Sequence, residues 1–415
     1  MTAVERDVRS NPGLLKLDLY CKGLRIDSSC EKLDRDGRPI LRTRAGLGSG
    51  LELVLPSGLW TNVPVVEEFA KTSPYALAHR GGGYVIERGS DPVASVVVPP
   101  APAFYSRRTR SGRQMSRVGV LQGTYLGIYP TGVCSHWLSK PKANCAFCSV
   151  GLNLGADEDA EKSVNDVVET VIAAREELGI TYVHFNTGYY EDERYLDDLE
   201  PFIRSVKRET GLLIGVQTPP HPDLSRYRAL RKLGVNQVSF CFEFWDRAHF
   251  ERYCPGKAAK VGLDRYLSAI EHCAPIFDTT NGEIIAGLEP VEATLEAIDW
   301  ITSVGAIPTV CVFRPLRGTD LAGHAPPRTD DLIPVFERVY ESCMTRGLPL
   351  GIAPNVNVSI ILKPEECRWF SAHPERYWKR DAKSFVMRQA LRGLLAAQTT
   401  VARVRRGRHR VAQEA

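Results

Sequence analysis

From about residue 118 to residue 345 the chain alternates short apolar runs with amphipathic stretches, and no other feature restricts its fold as tightly. The runs TYLGIY, YVHFNTG, LLIGVQT, VNQVSFCFE, EIIAGLE and IPTVCVF read as strands, and between them apolar residues recur at helical spacing. Val167, Val168, Val171 and Ile172 share one helical face, as do Leu196, Leu199, Phe202, Ile203 and Val206; Gly179 and Gly211 stop the two helices. Strands and helices alternating at this interval pair in parallel through right-handed crossovers. Six such units and a further extended run, NVNVSIIL, predict an α/β fold built on a partial or near-complete (β/α) TIM-type barrel. Its chemistry belongs at the carboxyl ends of the strands.

The upstream part has a different texture. From about residue 15 to 105, stretches such as LELVL, GYVIER and ASVVV are broken by DRDG, LGSG, RGGG and GSDP, with no long helical period. This predicts a small β-rich N-terminal domain over 1–115, joined through PPAPAF and YSRRTRSGRQ to a barrel over 116–365, with a helical extension and basic tail over 366–415.

Strand parity gives a second reading. A barrel ringed by helices needs apolar outward positions, so polar residues at alternate positions mark the interior. His184 and Asn186, then Ser239, Cys241 and Glu243, then Asn355, Asn357 and Ser359 fall on such faces. They predict a wet, functional lumen, or else polar core layers that pair among themselves.

Eleven cysteines, an odd number, in a chain where we read no secretory leader argue against a disulfide framework. Three of them, Cys134, Cys145 and Cys148, follow the first strand directly, spaced C-x10-C-x2-C. Three thiolates so arranged bind three irons of a [4Fe-4S] cube and leave the fourth open, or with His136 they complete a Cys3His zinc shell. Spacing alone does not choose between these. Position does favour the cluster, because an open iron needs a protected cavity at a strand end and a zinc staple does not.

The cysteine turn CAFC, with the strands behind it, resembles the radical S-adenosylmethionine enzymes over about residues 118 to 345, in a barrel most like the biotin synthase group. The arm SHWLSKPKAN is longer than the family's usual three-residue spacing. NTGYYED stands where the family has a GGE-like motif, so Thr187, Gly188 and Tyr189 are implied contacts of the cosubstrate. In VNQVSFCFE, Cys241 and Glu243 match a polar residue and an acid that meet the ribose. NGEIIAGLEP is similar to a GxIxGxxE stretch through Gly282, Ile284 and Glu289, and CVFRPLRGTDLAG to a Pro-x-x-Gly-Thr segment through Pro315, Gly318 and Thr319.

The resemblance implies an enzyme carrying a [4Fe-4S] cluster on Cys134, Cys145 and Cys148, with S-adenosyl-L-methionine as cosubstrate. Reductive cleavage yields a 5'-deoxyadenosyl radical that abstracts hydrogen from a small molecule in cofactor or natural-product biosynthesis, with sulfur insertion or rearrangement both open. Phe147, Thr187, Gly188, Tyr189, Glu243, Glu289 and Arg314 are the implied cofactor contacts; Cys241, Cys311 and His184 are the catalytic candidates. Glu243 could instead pair with an arginine such as Arg247, and the turn RYCPGK, with its thiol and lysine, reads either as a substrate contact or as a structural turn. The implied reductant is a one-electron donor such as flavodoxin or ferredoxin. A competing class is a zinc-stabilised binding protein; a hydrolase using His184 and Glu243 lacks a nucleophile motif. With 53 basic and 49 acidic residues nothing demands a polyanion, so nucleic acid is not expected and the tail RVRRGRHRVAQEA reads as solvated. No apolar run approaches the ~20 residues that a bilayer needs, which predicts a cytoplasmic protein without a membrane partner.

Overall fold

The computed structural model describes residues 7–33, 37–40 and 48–414, with side chains up to residue 397. A helix, Pro12–Lys22, opens it: the Asn11 side chain accepts the Leu14 amide at 2.9 Å, proline fills the first turn and Gly23 closes the last. The sequence shows no helical period here because every residue from Pro12 to Cys21 is buried, leaving no polar face to display one. Leu15 and Leu19 of this helix enter a small leader core, while Leu14, Leu17 and Tyr20 enter the main one. The rest of the leader is β-rich as expected. Strands β1 (Arg25–Ile26), β4 (Tyr75–Arg80), β5 (Gly83–Arg88) and β6 (Asp91–Val96) form one sheet, and β2 (Leu51–Val54) pairs with β3 (Trp60–Val63).

The large sheet holds seven strands in the order β13-β12-β11-β10-β9-β8-β7. They are β7 (Val120–Leu121), β8 (Leu126–Ile128), β9 (Tyr182–Asn186), β10 (Leu213–Gln217), β11 (Gln237–Glu243), β12 (Thr279–Ala286) and β13 (Ile307–Val312). From β8 to β13 all pairings are parallel, through helical crossovers, while β7 runs antiparallel to β8. The sheet curls into a partial barrel, with helices such as Val164–Leu178 and Tyr195–Thr210 on its outer face. A capping box between Ser163 and Asp166 starts the first of these, and Gly179 and Gly211 end the two in the left-handed conformation that glycine adopts without cost.

The extended run NVNVSIIL is not a strand, and this corrects the sequence reading. Asn355 has φ +56, which breaks the run, and the backbone groups that a ladder would use are taken elsewhere. The Asn357 carbonyl accepts from Thr124 N at 3.0 Å and the Ser359 carbonyl from Asn62 N at 2.7 Å. Ser359 therefore faces the leader, where its hydroxyl meets Glu52 at 2.5 Å, and not the lumen. Gly123 makes this approach feasible: a Cβ there would stand 2.0 Å from the Asn357 carbonyl oxygen.

On the central strands the parity reading holds. Val183, Phe185, Val238, Phe240 and Phe242 are fully or almost fully buried toward the helices. Each such side chain contributes about 1.5–3 kcal/mol of burial. Inward positions carry polar groups in two tiers. In the lower tier Gln237 Nε2 bonds Ser239 at 3.1 Å and Asn281 at 2.8 Å, and Asn281 reaches Thr309 at 2.9 Å. The upper tier, Asn186, Gln217, Cys241, Glu283 and Cys311, faces a cavity at the carboxyl end. A long helix, Trp378–Glu414, ends the described chain, and no helix among the described residues is long and apolar enough to cross a membrane.

Candidate active site at the carboxyl end of the barrel

The loop after β8 brings Cys134, Cys145 and Cys148 to the mouth of this cavity, whose empty volume is about 1180 Å³ including the open mouth. Several backbone bonds fix the loop. Ser135 N donates to the Tyr189 carbonyl at 2.8 Å, joining Cys134 to the end of β9. Cys148 N closes the tight turn on the Cys145 carbonyl at 3.0 Å. Ala146 N reaches the Tyr253 carbonyl at 2.8 Å, and Gly256 N reaches that of Ala143 at 3.0 Å, so the segment 253–256 braces the whole arm. The long arm folds on itself, with Lys142 4.4 Å from the centre of the Trp137 ring.

All three cysteines line this cavity. Among the described residues no group of three or more His, Cys, Asp or Glu side chains is placed to hold a metal ion. His136 lines the same cavity. Its ring stacks on Tyr189 with centroids 4.6 Å apart, and burial holds its pKa down to about 4. In a [4Fe-4S] cube each thiolate would take a separate iron, so the three thiols need only border a common space. Room for such a group is preserved at Gly188, where a Cβ would come 2.4 Å from Cys134 Cβ and 2.6 Å from Tyr129 Oη. The donor set and the cradle fit a cluster. Burial pushes the Cys134 thiol up and that of Cys148 up to about 12, whereas the Cys254 thiol, bonded to Cys145, holds Cys145 below its usual value.

At the rim, Phe147 lies edge-on to Phe244 with centroids 6.0 Å apart. Glu243 stands where the register of β11 against β12 shifts, and it has φ +69. Its Oε1 accepts from Lys257 Nζ at 2.5 Å, and the same ammonium donates to the Cys241 carbonyl at 2.7 Å. Lys257 comes from the helix Pro255–Lys260, so RYCPGK is part of the site and not just a turn. Arg247, the arginine considered for Glu243, pairs with Asp264 at 2.5 Å. On the cavity floor, Glu283 Oε2 accepts from the Cys241 thiol at 2.9 Å and from Gln217 Nε2 at 2.6 Å, and burial pushes the Glu283 carboxyl up.

No family model matches the chain. Among curated proteins it is similar to the bacteriochlorophyllide c C-7(1)-hydroxylase of Chlorobaculum limnaeum, 32% identical over 125 residues, covering 29% of this chain and 31% of that protein. The match therefore spans about a third of the relative's length. Solved structures like it include a methylornithine synthase, 19% identical with TM-score 0.42 over 52% of this chain and 62% of that one. Another is the coproporphyrinogen III oxidase of Escherichia coli, described as a radical SAM enzyme, 16% identical with TM-score 0.35 over 49% of this chain and 50% of that one.

The chain resembles the radical S-adenosylmethionine enzymes.

Of the contacts that a radical S-adenosylmethionine site implies, the structure brings Phe147, Thr187, Gly188, Tyr189, Glu243 and Arg314 to one cavity, with Cys241 and Cys311 behind them. It does not bring Glu289 or His184 there. Glu289 is buried in the wall, where its Oε2 accepts the Trp245 and Asp246 amides at 3.0 Å and burial lifts its pKa to about 7. His184 sits one tier lower, stacked on Tyr182 at 5.9 Å. Arg314 is buried, not a surface ion pair: its guanidinium lies 4.5 Å from the Tyr20 ring centre, where leader and barrel meet. Sequence reasoning missed Gln217 and Glu283, and it raised Cys254 and Lys257 only as the thiol and lysine of the turn RYCPGK. For Gln217 and Glu283 the signal was available, since each occupies the inward parity of its strand. For Lys257 and Cys254 the sequence shows a thiol and a lysine in one turn, and only the fold returns that segment to the cysteine turn.

Proposed function

We propose that the protein is a radical S-adenosylmethionine enzyme of small-molecule biosynthesis, with Cys134, Cys145 and Cys148 as ligands of a [4Fe-4S] cluster. The observation that carries this reading is the placement of three cysteines at the mouth of a cavity whose floor is a hydrogen-bonded set of Gln217, Cys241 and Glu283. When bound, the cluster supplies the electron that cleaves S-adenosylmethionine to a 5'-deoxyadenosyl radical, with a flavodoxin- or ferredoxin-type donor as its source. The chain's own part is to bind, orient and shield. Thr187, Gly188 and Tyr189 line the side next to Cys134, Glu243 is held for a polar group of the cosubstrate by Lys257, and Phe147 offers a ring face beside the turn.

The named activity of the curated relative is a hydroxylation, and we extend to this chain only the opening step that such a reaction shares with the family: the 5'-deoxyadenosyl radical takes the hydrogen atom of one substrate C–H bond, giving 5'-deoxyadenosine and a substrate radical. Burial and the negative charge of Glu283 keep the Cys241 thiol protonated, so it faces the cavity as a hydrogen donor, with Cys311 as a second thiol nearby. Protein purified without oxygen and supplied with a reductant and S-adenosylmethionine is expected to be brown, to contain about four irons per chain and to release 5'-deoxyadenosine. A colourless zinc protein that leaves the cosubstrate intact would overturn the reading. Full turnover in both Cys241→Ala and Cys311→Ala would remove the thiol role alone.

A further inference from the structure

The helix Trp378–Glu414 packs on the helix Tyr195–Thr210 and is tied to the body where Arg388 Nε donates to the Gly351 carbonyl at 2.5 Å. One face, including Leu395, is turned inward. The opposite face is not polar, as a solvated helix face should be. Trp378, Phe385, Val386 and Leu394 are 57–65% exposed, and Met387 is 42% exposed. Trp378, Ala382, Phe385 and Val386 follow one another at i, i+4, i+7 and i+8, which places them on a single stripe, with Lys379 and Lys383 along its edge. Over the whole helix the sequence carries ten Lys and Arg against two acids, Asp381 and Glu414.

Charge and apolar character together select the occupant. On the described part of the helix Lys379, Lys383 and Arg392 are exposed with no exposed acid beside them, so a second copy would oppose like charges and self-pairing is disfavoured. A nucleic acid would use the basic residues but would leave Trp378, Phe385 and Val386 in water. A surface that is both anionic and apolar at shallow depth satisfies both sets, and Trp and Phe are the residues that anchor a helix at that depth. We propose that the outer face of the C-terminal helix docks the enzyme in the interface plane of an anionic phospholipid bilayer. The helix lies on the surface and does not span it. This revises the expectation of a merely solvated basic tail, and it is independent of the reading of the cysteine site.

The test is flotation of the full-length holoprotein with vesicles of phosphatidylcholine alone or of phosphatidylcholine containing phosphatidylglycerol. The expected result is recovery with the anionic vesicles roughly tenfold above that with the neutral ones, falling back in high salt. A Trp378→Ser, Phe385→Ser, Val386→Ser variant, altered only at exposed positions, is expected to lose most of that binding while keeping its circular dichroism and iron content. Equal binding by this variant would overturn the proposal, as would no binding of the wild type to anionic vesicles. A concentration-dependent dimer abolished by the same substitutions, without vesicle binding, would assign the face to a second copy instead.

Discussion

Lys257 Nζ lies 2.5 Å from Glu243 Oε1, and both side chains are largely withdrawn from water. This one contact joins the helix bracing the cysteine turn to the bulged end of β11. Removing the cation leaves a buried carboxylate without a partner, so Lys257→Met is expected to cost about 3 kcal/mol in chemical denaturation. It should also weaken binding of S-adenosylmethionine, because Glu243 then loses its fixed orientation. Glu243→Gln added to Lys257→Met is expected to recover part of the stability but none of the binding. A cost below about 1 kcal/mol would show that the pair does not hold the rim.

Cys254 provides an internal control for the ligand assignment. It is fully buried and bonded to Cys145, yet it comes from another segment and does not line the cavity. Alanine at Cys134, Cys145 or Cys148 should abolish the visible absorption of the anaerobic protein and most of its iron. Cys254→Ala should keep both, with only the modest stability loss of a small buried side chain, about 1 kcal/mol. If iron disappears from Cys254→Ala and survives in one of the other three, the ligand set has to be redrawn.

Gly188 tests the cradle without touching a ligand. Its added methyl would stand 2.4 Å from Cys134 Cβ, closer than side chains approach one another. Gly188→Ala is expected to destabilise the protein by about 1–3 kcal/mol through overpacking. Iron incorporation should fall with it, since Cys134 is the atom that must move. Iron analysis together with thermal unfolding of the variant checks both effects, and wild-type iron content would argue that the space is not used.

Much of this was written in local sequence pattern. Helical spacing and the glycine stops at Gly179 and Gly211 locate the crossovers, and the alternation around Phe240 and Phe242 tells which faces of β11 point in and out. What failed was of two kinds. Pattern could not see burial on all sides, so the helix Pro12–Lys22 went unrecognised. It also mistook NVNVSIIL for a strand, because alternation persists even where Asn355 turns the chain and the leader takes the hydrogen bonds. Within the site, the three cysteines were legible because they are adjacent in sequence. Lys257 and Cys254 were legible only as a lysine and a thiol in one turn, because their role arises when residues about a hundred positions apart are folded together.

Glu289 illustrates the same limit and yields a pH prediction. Sequence placed it with the cosubstrate, but its carboxyl caps the Trp245 and Asp246 amides from inside the wall, and burial raises its pKa from 4.5 to about 7. A raised folded-state pKa means that the native protein binds this proton more tightly than the unfolded chain does. The contribution to stability is therefore fully present below about pH 4.5 and is lost as pH rises to about 7, by roughly 3 kcal/mol across the window. Glu289→Gln keeps an oxygen that accepts the two amides and has no proton to lose. Denaturation curves measured at several pH values should show the wild type losing stability across this interval relative to the variant. Parallel pH profiles for the two proteins would mean that Glu289 does not titrate there, and that the amides hold it as a carboxylate throughout.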